Sequence, residues 1–194
     1  MPARIDASQR RADVVAAASR LVARDGAAAL SLRRVADEAE LNVGSVRHYF
    51  DGSDDLLTAT AEDVGRRMGE RLASHRLDDL GAEWPERLAV FVEEVLPVDV
   101  ERREEAAVLV EFVVASRTRP ILAAATARMG RDLREALCTA LASAGIGAAE
   151  QEADRLAALI GGLTLDAITP HGELGPAELR ATLRRHLESL ARHE

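Results

Sequence analysis

Apolar residues recur along this chain at three- and four-residue steps almost from end to end, and no stretch keeps the two-residue alternation of a strand. Divided at its Gly, Pro, Asn and Ser breakers, the pattern predicts an all-α chain of about nine helices. The first runs from about Ser8 to Arg24, burying Val14, Val15, Ala18, Leu21 and Val22, and stops at Asp25-Gly26. Ser31 caps a second helix that reaches Ala39, and Asn42 caps a short third that ends near Phe50. Ser53 is expected to cap a long fourth helix reaching His75, with Asp54 and Asp55 complementing the positive end of its dipole. The rest are expected over Trp84–Leu96, Glu101–Arg117, Arg119–Ala144, Ala149–Ile168 and Pro176–Arg192, with Pro85 in a first turn where its missing N–H does no harm.

The segment SLRRVADEAELNVGSVRHYF, residues 31–50, narrows this pattern to a motif. Leu32, Val35, Ala36 and Ala39 line one face of the second helix, Leu41 is a turn hydrophobe, and Val46 and Phe50 form the inner face of the third. Two short helices crossing steeply over a small residue, here Ala36, make a helix-turn-helix, and the N-terminal part of the second helix is then presented to a major groove. Its outward residues are Val43, Gly44, Ser45, Arg47, His48 and Tyr49. Arg47 has the fork to read guanine O6 and N7, Val43 can touch a thymine methyl, and Ser45, His48 and Tyr49 can donate to phosphates. A purely structural placement, Tyr49 packed on its helix and His48 solvated, is open for either residue alone.

Charge restricts where DNA can bind. The 194-residue chain carries −8 overall, the wrong sign for coating nucleic acid indiscriminately. Residues 1–50 nevertheless hold eight Arg against six acids, while residues 51–194 hold seventeen against twenty-seven. A basic head, with Arg10, Arg11, Arg33 and Arg34 ahead of the third helix, sits on an acidic body. All 25 basic residues are Arg, so each cationic contact comes from a guanidinium. With 47% apolar residues the chain can bury a real core. One cysteine, Cys138, allows no intrachain disulfide. No apolar run reaches membrane-spanning length and the first 25 residues lack a signal-type core, which predicts a soluble, cytoplasmic protein without membrane contact. No metalloprotease, nucleophile-elbow, P-loop or paired-cysteine motif occurs, so neither catalysis, a cofactor nor a metal is expected.

The body divides its apolar residues between two expected roles. Ala153, Leu156, Ala157, Ile160, Leu163 and Ala167 stripe one helix beside Gly161-Gly162, and Leu179, Leu183, Leu187 and Leu190 stripe the last. Periodicity fits either ordinary core or a homodimer interface, and since a single helix-turn-helix buries little surface, a twofold dimer centred on Leu156, Ile160, Leu163, Leu183 and Leu187 is expected. Candidates to line a small-molecule effector pocket are Met68, Trp84, Phe91, Leu109, Phe112, Met129 and Leu133, with Glu111 the lone polar residue in VLVEFVV. For Glu111 the pattern leaves open an exposed face, a pair with Arg117 or Arg119, or a ligand contact.

Over about 48 residues, RRADVVAAASRLVARDGAAALSLRRVADEAELNVGSVRHYFDGSDDLL resembles the head of the TetR/AcrR family of bacterial transcriptional regulators, and LIGGLTLDAITP with LRRHLESL resembles its BetI-like branch. The resemblance implies base contacts from Arg33, Val43, Gly44 and Arg47, phosphate contacts from Ser31, His48 and Tyr49, and a dimer bundle from the last two helices. It implies a DNA-binding domain at 1–52, an effector and dimerisation domain at 53–194, and a repressor bound to a double-stranded palindromic operator. The chain departs from the family pattern twice. Glu40 stands at a turn position usually held by Gly, where a left-handed residue would cost ~1 kcal/mol, and Ser53 replaces a phosphate-binding Lys. A helical ligand-binding or scaffold protein with a weakened head is the alternative these departures permit.

Overall fold

A computed structural model of the chain describes residues 7–77 and 80–192, and among them every regular element is helical. The α-helices are α1 Ala7–Asp25, α2 Leu32–Glu38, α3 Val43–Arg47, α4 Ser53–Ala73, α5 Trp84–Glu93, α6 Val100–Ala115, α7 Pro120–Ser143, α8 Ala149–Ile168 and α9 Pro176–Ala191. Short 3-10 turns at Ala27–Ala29 and Gly81–Glu83 join them. Two compact units result: residues 1–66 with 107–126, and residues 67–106 with 127–194.

In the first unit α1 buries Val14, Val15, Ala18, Leu21 and Val22, as its periodicity predicts, and Ala17 with them. It stops at Gly26, whose φ of 82° and ψ of 163° lie where side chains are strongly disfavoured. Ser31 caps α2 by accepting the Arg34 N–H, and Asn42 caps α3 by accepting the Ser45 N–H at 2.8 Å. Ala36 and Val46 are fully buried, consistent with a close crossing of α2 and α3. Ser53 is the first residue of α4 rather than its cap: the Leu56 N–H returns to the Gly52 carbonyl, and the Asp55 carboxylate reaches back to the Asp51 N–H at 3.0 Å.

The second unit is organised by a cluster that includes Trp84, Leu88, Phe91, Val92, Leu137, Leu141, Leu156, Ile160, Leu163, Leu179, Leu183 and Leu187. The residues expected at a dimer surface lie in this core. Leu156, Leu183 and Leu187 are 0% exposed and Ile160 and Leu163 are 5% exposed within one protomer. A side chain already out of water gains nothing further from a second copy. Salt bridges from Arg180 to Glu93 at 2.8 Å and from Arg184 to Glu86 and Glu93 at 2.9 and 2.8 Å fasten α9 to α5. The outer side of α8 instead shows Gly161, Gly162 and Leu165, the last 44% exposed.

The same unit buries charge. Glu105 of α6 is 3% exposed and is gripped by Arg67 at 3.0 Å and Arg71 at 2.5 Å, both from α4. Glu94 accepts from Arg102 and lies 3.3 Å from His75. Burial raises its carboxyl pKa, but Arg102 and His75 together outweigh this and hold it below the usual glutamate value.

Two of the turns use the same closure. After α7, Gly145 takes φ 84°, and the Ile146 and Gly145 amides return to the carbonyls of Leu141 and Ala142. After α2, Glu40 takes φ 54°, and the Leu41 and Glu40 amides return to Ala36 and Asp37 at 2.8 and 3.3 Å. This is the Schellman pattern, in which glycine avoids the steric cost of the left-handed residue. Glu40→Gly should therefore raise stability by roughly 0.5–1 kcal/mol, read as a higher urea midpoint at unchanged slope. A lower midpoint would show that the Glu40 side chain contributes more than its conformation costs.

Candidate nucleic-acid interface

Every residue expected to touch DNA lies in the first unit, on α2 and α3 or directly flanking them: Ser31 precedes α2, and His48 and Tyr49 follow α3. Arg33, Gly44, Arg47 and His48 are exposed; Ser31, Val43, Ser45 and Tyr49 are half-buried. Val46, on the opposite side of the five-residue α3, is 0% exposed. The His48 and Tyr49 rings meet edge to face at 5.1 Å, and both line an open concavity. Arg10, Leu41, Asn42, Gly44, Ser45, His48 and Tyr49 line that concavity, whose volume is about 380 Å³.

Not all the basic residues of the head are available to DNA. Arg20 and Arg24 bind Glu38 at 3.1 and 3.0 Å, and Arg34 binds Asp25 at 2.6 Å. The hydrogen bond from Arg24 holds the Asp25 carboxyl below its usual range, and Arg24 followed by Arg20 does the same for Glu38. These carboxylates stay ionised and keep three guanidinium groups occupied. Arg11 lies over the Phe50 ring at 4.9 Å. Arg10, Arg33 and Arg47 have no carboxylate partner among the described residues. A paired guanidinium has part of its donor set taken and its charge neutralised, so it attracts a phosphate less than these three do.

Two assignments change in detail. The Ser45 hydroxyl donates to Asn42 Oδ1 at 3.1 Å, so its proton is committed to the cap and not free for a phosphate. Ser31 Oγ accepts from the Arg34 N–H and keeps its own proton to give. Arg10 and Asn42 join the concavity, and sequence reasoning had not placed them there. Arg10 was legible only as part of a basic stretch, and Asn42 only as a cap. A Cβ on Gly44 would stand 3.2 Å from Asn42 Oδ1, so a larger residue would press on that cap.

Residues 14–60 match the family described as bacterial regulatory proteins, tetR family, and residues 84–192 match BetI-type transcriptional repressor, C-terminal. The chain belongs to the TetR family. It is 26% identical over 194 residues to the HTH-type transcriptional regulator PksA of Bacillus subtilis (strain 168), covering 98% of this chain and 94% of PksA. Among solved structures, a transcriptional regulator from Rhodococcus sp. Rha1 superposes with a TM-score of 0.83 at 28% identity, covering 94% of this chain and 96% of that one. The multidrug binding protein EbrR, complexed with imidazole, superposes with a TM-score of 0.65 at 28% identity, covering 93% and 94%. The HTH-type regulators and the family place this TetR chain among DNA-binding transcriptional regulators. None of its described helices is long and apolar enough to cross a membrane.

The residues expected at an effector pocket fall in both units. Trp84 and Phe91 are buried in the core of the second, with Met68 and Leu133 packed against it and Met129 half-buried. Leu109, Glu111 and Phe112 belong to the first, where Phe112 is 0% exposed. Glu111 pairs with neither Arg117 nor Arg119. Its carboxylate accepts the Ala27 N–H at 3.0 Å, while Arg119 approaches Asp54 at 3.9 Å.

The pairing pattern separates the head arginines by experiment. Arg47→Ala should cost ~1–3 kcal/mol on the preferred duplex and relax one base position per half-site, while Arg10→Ala should weaken all duplexes alike and lower the salt slope by about 1. Arg34→Ala should leave that slope unchanged, because its guanidinium is held by Asp25. A slope change for Arg34 equal to that for Arg10 would contradict the division into tied and available cations.

Proposed function

We propose that this TetR-family regulator is a cytoplasmic repressor that binds an inverted-repeat operator as a homodimer and releases it when a small molecule occupies its body. The observation that carries the reading is the set Arg10, Arg33 and Arg47, without a carboxylate partner among the described residues, on a head where Asp25 and Glu38 tie up Arg20, Arg24 and Arg34; Arg10 lines the concavity beside α3. Such a surface attracts phosphate without coating DNA indiscriminately, and one α3 per chain reads only a half-site. In this reading residues 1–52 read DNA and residues 53–194 dimerise and sense. The scaffold alternative gains no support from Glu40, which adopts the left-handed turn and leaves α3 in place.

The outer side of α8 suits contact with a second copy. A Cβ added at Gly161 or Gly162 meets nothing within 4 Å inside the protomer, and Leu165 stands exposed nearby. Small residues there would let two α8 helices approach closely. EbrR, which shares the fold, has been solved with imidazole, proflavin and malachite green. That supports a ligand-binding body here, with Met68, Trp84 and Phe91 as the proposed wall. Release follows only if the ligand prefers the DNA-incompetent arrangement.

Selection from random duplexes should return inverted repeats, whereas enrichment of asymmetric single sites would sink the twofold reading. Gly161→Leu should sharpen the test, since it favours the α8 helix by up to ~1 kcal/mol yet blocks close approach. The expected product is a well-folded monomer in sedimentation, with operator binding lost. Ile160→Glu should instead unfold the protomer, because it puts a charge into that protomer's own core.

A further inference from the structure

The best-defined side chain outside the DNA surface is Glu111. It lies in α6 between Val108 and Phe112, both 0% exposed, and no Arg or His lies within ion-pair distance of it among the described residues. Its carboxylate is seated on the corner that follows α1. Oε2 accepts the Ala27 N–H at 3.0 Å, and a Cβ on Gly26 would stand only 3.1 Å from the same oxygen. Gly26 is favoured by its φ of 82°, and a side chain there would also press on this carboxylate. Ala27 is 2% exposed, so without Glu111 its N–H would be a buried donor with no acceptor.

That corner leads straight to the recognition unit. The Ala29 N–H donates to the Gly26 carbonyl at 3.1 Å, and the Ala29 carbonyl accepts from Arg34 of α2 at 3.3 Å. Arg34 also holds Asp25 at 2.6 Å, and its N–H is the one that Ser31 caps. Glu111, the Ala27–Ala29 turn and the first turn of α2 therefore form one hydrogen-bonded series, with Ser31 and Arg33 at its end.

We infer that Glu111 is a positioning residue for operator binding: through the Ala27 N–H it fixes the corner from which α2 starts, and so sets where Ser31 and Arg33 meet the duplex. The inference rests on the regulator reading and goes beyond it by giving an α6 side chain control of the head. Displacement of Glu111 would loosen the α2 end of the DNA surface without touching Arg47.

Two gentle variants separate reach from charge. Glu111→Gln keeps the length and an acceptor oxygen; Glu111→Asp keeps the charge and withdraws it by one methylene. Amide exchange at Ala27 is measured without DNA, and affinity is measured on an inverted-repeat duplex selected with the wild type. The Asp variant should exchange about 10-fold faster at Ala27 and bind about 5- to 10-fold more weakly, while the Gln variant stays within about twofold of wild type on both. Unchanged exchange in the Asp variant, or faster exchange with undiminished affinity, overturns the inference and leaves the regulator reading standing. A Gln variant that loses as much as Asp also overturns it, because charge and not reach would then be the property used. A wild type that selects no duplex overturns the regulator reading and this role with it, whatever the exchange shows.

Discussion

The head depends on the crossing of α2 and α3 over Ala36, with Val46 buried on the other side. The turn between them spans only Ala39 to Asn42, so the chain must reverse within a few residues. It does so through the bond from the Leu41 N–H to the Ala36 carbonyl, with Glu40 accepting a left-handed conformation that costs it energy. Once that closure forms, α3 has one buried and one outward side. Arg47, His48 and Gly44 are exposed for the same reason that Val46 is not.

Charge is arranged around this scaffold with equal economy. Asp25 and Glu38 bind Arg20, Arg24 and Arg34 on the α1–α2 flank, which fastens those helices and removes three cations from the DNA surface. What remains positive is small and local. In the proposed reading a chain of net charge −8 reads DNA because the local field near α3, not the total, steers association.

The second unit solves a different problem. Its leucine-rich core takes in Met68 and Leu72 of α4 but no residue of α6, so apolar packing there does not set how those two helices align. The buried Glu105, gripped by Arg67 and Arg71, has few acceptable registers. A charge removed from water demands its partners, and losing one leaves an uncompensated ion. The cluster fixes how α4 lies against the start of α6, a matter of specificity more than of net stability.

Much of this was legible in the order of residues. Helix existence, the caps at Ser31 and Asn42, the small crossing residue Ala36 and the outward set on α3 are local properties, determined by periodicity and by side chains that bond amides two or three residues away. Glu40 was legible as a turn residue, though only the fold shows it accepting the left-handed state. Other assignments depended on partners far along the chain. An apolar stripe has the same spacing whether its own protomer or a second copy covers it, so the spacing of Leu156, Ile160 and Leu183 fits core and interface alike, and only the fold shows α5 lying with them in one core. Glu111 read as an exposed acid, a partner of Arg117 or Arg119, or a ligand contact, because nothing near it in sequence announces that the Ala27 amide, 84 residues earlier, would be its partner. Sequence by itself determined which faces are apolar and where helices begin, because those are short-range effects. Only the tertiary structure decided what covers each face and which cations remain unpaired, because burial and ion pairing are set by residues that folding, not proximity in the chain, brings together.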